Sequence, residues 1–192
     1  MDVRGMKVAA IVADGFEQKE LDGPVEALRQ EGVQVEIIAQ DDKHLAHIHG
    51  VNHFDKGPGV KGDLVIDEAN PDDYDGLLVP GGAVSPDSMR QSKKHLDFVR
   101  SFMEEGKPTA VICHGPWLLA DADVAKGRTL TSWPGIRRDL ERAGAKWKDE
   151  VVVVDGNLVT SRKPDDIPAF SRSFLQKLEE KRSGKMKRAV HA

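Results

Sequence analysis

The chain reads Pro108-Thr109-Ala110-Val111-Ile112-Cys113-His114-Gly115-Pro116 at a point where a buried strand is expected to run directly into a helix. The β-branched and apolar residues before the cysteine are typical of a strand covered on both faces. Gly115 permits a sharp reversal, and Pro116 suits the first position of a helix. The sequence therefore predicts that Cys113, the only cysteine of the chain, stands at a strand-to-helix turn.

A cysteine at such a turn is held out from the edge of the sheet, where backbone N–H groups of the following helix point towards it. We expect this geometry to lower the pKa of the thiol and to supply donors for a developing oxyanion. The alternative is a structural cysteine, since free Cys is among the most buried residue types. Because a His-Gly-Pro sequence directly follows the thiol, we favour Cys113 as a nucleophile.

Strand-like and helix-like segments alternate along the rest of the chain. Strands are predicted at Met6–Ala13, Val33–Ala39, Tyr74–Pro80 and Arg128–Ser132, with a hairpin formed by Val151–Val154 and Leu158–Ser161. Helices are predicted between Asp14 and Gly32 and at Asp87–Gln91, Lys93–Glu105, Pro134–Ala143 and Asp165–Lys181. This alternation predicts an α/β fold, a three-layer α/β/α sandwich around a mostly parallel sheet. Two more polar segments, His44–Asp55 and Val60–Ile66, are predicted as a small antiparallel excursion at the sheet edge.

Length and composition favour a single soluble domain over residues 1–192, with a basic C-terminal tail from about 183 to 192. One cysteine excludes an intramolecular disulfide and favours a reducing, cytoplasmic setting. The net charge of −4 argues against a nucleic-acid partner. No apolar run reaches the roughly 18 residues of a membrane helix, and no signal segment is recognisable, so we expect no membrane partner.

Two further features are expected beside the thiol, because ligands of open α/β sheets bind at the carboxyl ends of the strands. Glu17 follows the first strand, and a buried, protonated Glu17 would favour a thiolate. The alternative is a capping box in which Asp14 caps the helix and Glu17 reaches back to it. Gly81-Gly82 follows the strand at 74–80 and supplies either an oxyanion N–H or merely a tight turn.

Histidines and tryptophans give weaker signals. His114 offers a backbone N–H, and its side chain would serve as a base if a third group oriented it. The only later histidine, His191, lies in the tail, which argues against a glutamine amidotransferase. Trp117, Trp133 and Trp147 could line a pocket, although aromatics at such spacing are more often core, and Trp117 is the favoured candidate because it follows Cys113 so closely. The cluster His44, His47, His49 and His53 has partial metal-ligand spacing, but a solvated hairpin is the better interpretation, and no metal is predicted.

Taken together, the motifs resemble the ThiJ/PfpI family, also called the parkinsonism-associated deglycase and PfpI intracellular peptidase superfamily. The resemblance runs from about Met6 to Leu178 and points to the PfpI-type or bacterial general-stress-protein branch. The segments that carry it are Asp14–Glu17, Asn70–Asp75, Val79–Gly82, Ile112–Pro116, Thr131–Gly135, Val153–Asn157 and Ser161–Pro164.

The resemblance implies a flavodoxin-like, class I glutamine amidotransferase-like domain that forms homodimers or larger rings. It implies that Cys113 is the nucleophile, Glu17 its acidic partner and His114 the adjacent base. In the peptidase proposal for this family, a glutamate from a neighbouring subunit orients the histidine. The position matched here is Asp73, whose shorter carboxylate leaves that in-trans triad open, and a turn residue is the alternative.

Three activities are compatible with such a thiolate, and none needs a cofactor. The favoured one is a stress-response enzyme for reactive carbonyls, a glutathione-independent glyoxalase or deglycase that converts methylglyoxal to lactate, with Glu17 as proton carrier. The first alternative is an intracellular cysteine peptidase, a hydrolase whose oxyanion lies among the amides of His114 and Gly81-Gly82. The second is a non-catalytic redox sensor or chaperone that uses oxidised Cys113.

Overall fold

A computed structural model describes residues 1–184, so the predicted basic tail lies outside the described residues from 185 onward. The strands are β1 (Lys7–Val12), β2 (Phe16–Glu17), β3 (Gln34–Ala39), β4 (Gly50–Asn52), β5 (Asp55–Lys56), β6 (Leu64–Val65), β7 (Gly76–Val79), β8 (Thr109–Ile112), β9 (Thr129–Leu130), β10 (Lys146–Trp147), β11 (Val152–Asp155) and β12 (Leu158–Ser161). The helices are α1 (Gln18–Gln30), α2 (Val84–Arg90), α3 (Lys93–Glu104), α4 (Trp117–Asp121), α5 (Arg137–Arg142) and α6 (Ile167–Arg182).

Seven strands form the central sheet in the order β11-β12-β8-β7-β1-β3-β6. Every neighbouring pair is parallel except β11 with β12, which form the hairpin at the edge. This arrangement confirms the predicted α/β fold with a mostly parallel sheet. The strand that leads into Cys113, β8, lies between β7 and β12, near the middle of the sheet.

The side chains of β1 show why the sheet is covered on both faces. Val8, Ala10 and Val12 belong to one buried cluster, while Ala9 and Ile11 belong to another, because successive residues of a strand point to opposite faces. The first cluster is completed by α1 and α6, and the second by α3, α4 and α5. Two helical layers therefore enclose the sheet.

The segment from residue 44 to 66 differs from its prediction. The hairpin of β4 and β5 does not extend the central sheet; it forms a separate small sheet in which β4 runs parallel to β2. β6 joins the central sheet as a parallel neighbour of β3. The antiparallel edge lies instead at the opposite end, where β11 pairs with β12. The predicted strand at 128–132 also leaves the central sheet, since β9 pairs with β10.

Within residues 1–184, no helix is long and apolar enough to cross a membrane.

Candidate active site

Cys113 occupies a tight turn between the end of β8 and the start of α4. Its φ of 63° lies in the left-handed region, which costs free energy for a residue with a Cβ atom. The turn is fixed from both sides. The Cys113 N–H donates to the carbonyl of Ser161 at 3.0 Å, and the N–H of Trp133 donates to the Cys113 carbonyl at 2.8 Å. The predicted strand-to-helix turn is therefore present, and its strained conformation is held by the neighbouring chain.

The carboxyl group that faces the thiol belongs to Glu20, in the first turn of α1. Glu20 is completely buried, and its carboxyl group lies beside Cys113, since a Cβ atom added at Gly81 would meet both Oε2 of Glu20 and the Cβ of Cys113. Its Oε2 accepts the N–H of Gly81 at 2.8 Å, while Oε1 is buried without a hydrogen-bond partner among residues 1–184. Burial raises the pKa of Glu20 to about 8. At neutral pH this side chain is therefore a protonated acid, with Oε1 free to hold the proton.

The predicted pairing of Glu17 with the thiol must therefore be corrected. Glu17 is the last residue of β2 and precedes α1, but its side chain makes no capping hydrogen bond. Its Oε2 instead accepts the N–H of His53, at 2.9 Å. Asp14 makes no capping box either, since its carboxylate binds the backbone N–H and the ring of His49. Glu17 is nearly buried and lines the pocket in front of the thiol.

Backbone N–H groups point at the sulfur, as the turn predicted. Those of Gly82 and His114 hydrogen-bond to it and lower the pKa of the thiol. Burial acts more strongly, so the pKa of the thiol is raised overall and the expectation that the turn lowers it is wrong; an ionised Glu20 would raise it further. A protonated Glu20 adds no negative charge beside the sulfur, and a hydrogen bond donated from it to the sulfur would favour the thiolate. The N–H of Gly81 is not free for an oxyanion, because it is bound to Glu20.

His114 touches the nucleophile through its side chain as well. Its Nδ1 lies 3.1 Å from the Cys113 sulfur, within reach for proton transfer. Burial lowers the pKa of His114, so the neutral ring is available as a proton acceptor. The ring is held by aromatic contacts, since it stacks on Trp133 with planes 19° apart and meets Trp117 at 60°.

A cavity of about 250 Å³ opens in front of the sulfur. It is lined by Glu17, Glu20, Val51, His53, Phe54, Gly82, Ala83, Cys113, His114, Trp133 and Pro164. Trp117 is absent from this lining, so the predicted pocket aromatic is replaced by Trp133. The hairpin of β4 and β5 contributes the outer wall. At its tip, His53 adopts a φ of 63°, and Phe54 is 96% exposed.

Asp73 lies far from this cavity within the protomer. It ends a short 3-10 turn that precedes β7, is exposed, and is followed by the strand that leads to Gly81. Since β7 and β8 are parallel, Asp73 and Cys113 lie near opposite ends of the sheet. Asp73 can contribute to a triad only from a second copy of the chain, so its role stays a prediction.

The four clustered histidines separate into two groups. His44 and His49 approach the Asp14 carboxylate at 3.5 and 3.2 Å, and the rings of His47 and His49 are in contact. His53 instead lies at the cavity. The sequence did not place a carboxylate in this cluster, but the structure places Asp14 there. In the part of the chain that the structure describes, no group of three side chains is arranged to hold a metal ion.

Fold and site together define a class of α/β proteins that carry a cysteine at a strand-to-helix turn beside a buried carboxyl group. The chain belongs to the DJ-1/PfpI family, whose model matches residues 6–177.

Individual relatives agree with this assignment over nearly their whole length. The chain is 42% identical to deglycase PfpI of Pyrococcus furiosus, over 91% of this chain and 100% of that protein. It is 41% identical to the putative cysteine protease YraA of Bacillus subtilis, over 90% of this chain and 98% of that protein. Among solved structures, Drosophila melanogaster DJ-1beta is 27% identical with a TM-score of 0.80, over 93% of this chain and 96% of that one.

Proposed function

We propose that this protein is a cysteine-dependent enzyme for reactive carbonyl compounds, which converts methylglyoxal to lactate without glutathione. The observation that carries the proposal is the pairing of the Cys113 thiol with the buried acid Glu20. The naming of the P. furiosus relative as a deglycase supports the same class of chemistry.

The reaction begins at the aldehyde carbon of methylglyoxal. The thiol proton passes to Nδ1 of His114 and the sulfur adds to the aldehyde. The new alkoxide takes the proton of Glu20 to give a hemithioacetal, which leaves Glu20 ionised and His114 protonated. The N–H groups of Gly82 and His114, which point at the sulfur, stabilise the oxyanion during this addition.

Proton transfer between the two carbons requires a group that can both accept and return a proton. Glu20, ionised in the preceding step, removes the proton from the former aldehyde carbon, and protonated His114 gives its proton to the ketone oxygen, so that an enediol forms. Glu20 then delivers its proton to the neighbouring carbon while the hydroxyl on the sulfur-bearing carbon returns a proton to His114. The product is a lactyl thioester on Cys113, which water cleaves to lactate and free thiol. This series of reaction steps is redox-neutral overall. A pKa of about 8 for Glu20 suits this dual role, because such a group exchanges protons readily near neutral pH.

The size of the cavity supports a small substrate. At about 250 Å³ it is smaller than typical pockets for drug-sized ligands, and it is closed on one side by Trp133 and on another by the hairpin of β4 and β5. An aldehyde of a few atoms fits such a cavity, whereas a peptide needs an extended groove.

A cysteine peptidase is the second candidate, and the 3.1 Å contact between Cys113 and His114 favours it. In that case the thiolate would attack a peptide carbonyl, and His114 would protonate the leaving amine. The putative protease YraA is a relative with this description. A base that is oriented by a hydrogen bond would then be expected, and Asp73 from a second copy is the proposed source. A homodimer or larger ring is therefore part of this candidate, and light scattering after size exclusion tests it.

The experiment that separates these functions measures release of lactate from methylglyoxal and cleavage of an unstructured fluorogenic protein, side by side. We expect the wild-type protein, assayed without glutathione, to turn over methylglyoxal repeatedly and to show negligible proteolysis. Proteolysis without lactate would favour the peptidase. If neither substrate is turned over and peroxide is consumed at one equivalent per thiol, the redox sensor is favoured, since a sensor stops after one oxidation.

A further inference from the structure

We propose that Glu17 makes the active-site cavity select neutral or positively charged carbonyl compounds and reject α-oxo acids, which carry a permanent carboxylate. The inference deepens the proposed function, because it assumes that the cavity receives a carbonyl compound. It assigns to Glu17 a role in specificity in place of the role as partner of the thiol.

The position of Glu17 allows a direct effect on a ligand. Its side chain lines the cavity and is 7% exposed. Within residues 1–184, the only hydrogen bond to its carboxylate is the one from the N–H of His53 to Oε2. The other oxygen is therefore free to accept a hydrogen bond from a ligand, and a nearby anion meets an unneutralised charge of the same sign.

No permanently charged cation of the lining offsets this charge. None of the lining residues is Lys or Arg. The nearest cations in sequence stand beside Pro164, and both are engaged by carboxylates. Arg162 binds Asp149 and Asp166, and Lys163 lies 3.3 Å from Asp165.

The other carboxyl group of the cavity, that of Glu20, does not change the sign of the charge in the cavity. Burial keeps Glu20 protonated up to about pH 8, and above that pH it adds a second negative charge. His114 has a lowered pKa because of burial, so its ring is neutral at neutral pH. The backbone N–H groups of Gly82 and His114 are directed at the sulfur. They serve the transient oxyanion and leave a carboxylate on the substrate without a partner.

The expected consequence is selection by charge among carbonyl compounds of similar size. Glyoxylate and pyruvate are disfavoured, while methylglyoxal and amino-substituted carbonyls are accepted. The carboxylate of the lactate product is repelled as soon as the thioester is cleaved, which favours release.

The single cysteine provides a direct measurement of this charge. Two methanethiosulfonate reagents, one with an ethylammonium group and one with an ethylsulfonate group, modify a thiolate by the same reaction. The sulfur forms a disulfide with the reagent, and methanesulfinate leaves. The ratio of the two rates is independent of the fraction of thiolate, because this fraction is common to both reactions. It therefore reports the electrostatic potential at Cys113.

We expect the ratio of the cationic to the anionic modification rate to be at least about tenfold higher in the folded wild type than in the chain unfolded in urea. Glu17→Gln should lower this ratio about tenfold, whereas Glu26→Gln, on the exposed part of α1, should leave it unchanged. Equal ratios for the folded and unfolded wild type would overturn the proposal even if Glu17→Gln does not fold. An unchanged ratio in a folded Glu17→Gln variant would overturn it as well.

This measurement needs no turnover, so it stands apart from the success of the proposed function. If methylglyoxal is turned over, a second arm compares kcat/KM for methylglyoxal and glyoxylate. We expect wild type to prefer methylglyoxal, and Glu17→Gln to narrow the preference by about the same factor as the reagent ratio. A preference that Glu17→Gln leaves intact would contradict the assignment of selectivity to Glu17.

Discussion

The backbone N–H of Gly81 donates a 2.8 Å hydrogen bond to Oε2 of Glu20. Gly81 follows β7 and Glu20 lies in α1, so this bond joins two elements at the point where they border the thiol. It fixes one oxygen of the acid as an acceptor and leaves Oε1 for the proton. The turn after β7 thereby positions the acid, a role different from the predicted oxyanion donor.

Replacement of Gly81 by alanine should disrupt the acid and the thiol together. A Cβ atom at this position would meet the Cβ of Cys113 at 2.5 Å and the carbonyl of Ile112 at 2.9 Å, and would also clash with Oε2 of Glu20. We expect Gly81→Ala to lower the free energy of unfolding by about 2–3 kcal/mol, as overpacking does. Cys113 of this variant should also no longer be alkylated at the wild-type rate. Urea unfolding and iodoacetamide kinetics check this.

Gly106→Ala is the matched control, because its Cβ would meet nothing within 4 Å although φ is +68°. It should cost only about 1 kcal/mol from left-handed strain and leave alkylation unchanged. If Gly81→Ala behaved like this control, the close packing around Glu20 would be refuted.

The raised pKa of Glu20 predicts how stability depends on pH. The folded chain keeps the Glu20 proton up to about pH 8, whereas an ordinary glutamate loses it near 4.5. The stabilising contribution is therefore complete below pH 4.5, falls as pH rises from 4.5 to about 8, and is lost above. Glu20→Gln cannot ionise, so its advantage over wild type in free energy of unfolding should grow by several kcal/mol over this window. Urea unfolding at a series of pH values tests the difference, and parallel curves would contradict it.

The left-handed φ of Cys113 predicts an unusual order of stability among its variants. Both Cys113→Ala and Cys113→Gly remove the thiol, but only alanine keeps the Cβ atom that is strained at a φ of 63°. Glycine normally costs about 0.5–1 kcal/mol relative to alanine. Here we expect Cys113→Gly to be at least as stable as Cys113→Ala, as measured by thermal or urea unfolding. The normal order, with alanine the more stable, would argue against strain at the turn.

Trp133 and Trp117 both contact His114, yet only Trp133 lines the cavity. Trp133→Leu removes the stacked ring and should lower kcat/KM for methylglyoxal about tenfold, because a mobile imidazole is a poorer proton acceptor. Trp117→Leu should change kcat/KM less than about threefold, even if loss of its hydrogen bond to Asp139 lowers stability. Equal losses in both variants would show that the effect is general and not specific to the cavity.

The strand-to-helix turn at Cys113 was predictable because its signals are local. An apolar run precedes the cysteine, and Gly115 and Pro116 follow it, so strand, reversal and helix start are all present in one short segment. The mostly parallel sheet followed from the same kind of local alternation between strand and helix patterns.

The identity of the acid was not predictable, because it depends on a pairing distant in sequence. β2 pairs with β4, so that Phe16 lies opposite Gly50 and Glu17 opposite Val51. This pairing keeps residues 16–17 extended and delays the helix to Gln18, which directs Glu20 towards the sulfur. The signal available in the sequence was the pair of carboxylates Glu17 and Glu20, three residues apart at the start of a helix, either of which could face the thiol. Trp133 could not be preferred to Trp117 for a similar reason, since its position depends on its hydrogen bond to the Cys113 carbonyl.

The most direct test of the account compares thiol reactivity with turnover in the same set of variants. Lactate formation from methylglyoxal, without glutathione, and iodoacetamide alkylation are measured for wild type, Cys113→Ser, Glu20→Gln and Glu17→Gln. Glutamine resembles the protonated acid, since its oxygen can accept the Gly81 N–H and its amide can donate to sulfur. We expect Glu20→Gln to keep alkylation within about tenfold but to lose turnover at least about a hundredfold, while Glu17→Gln retains turnover and Cys113→Ser has none. Turnover by Cys113→Ser, or full turnover by Glu20→Gln, would contradict the account.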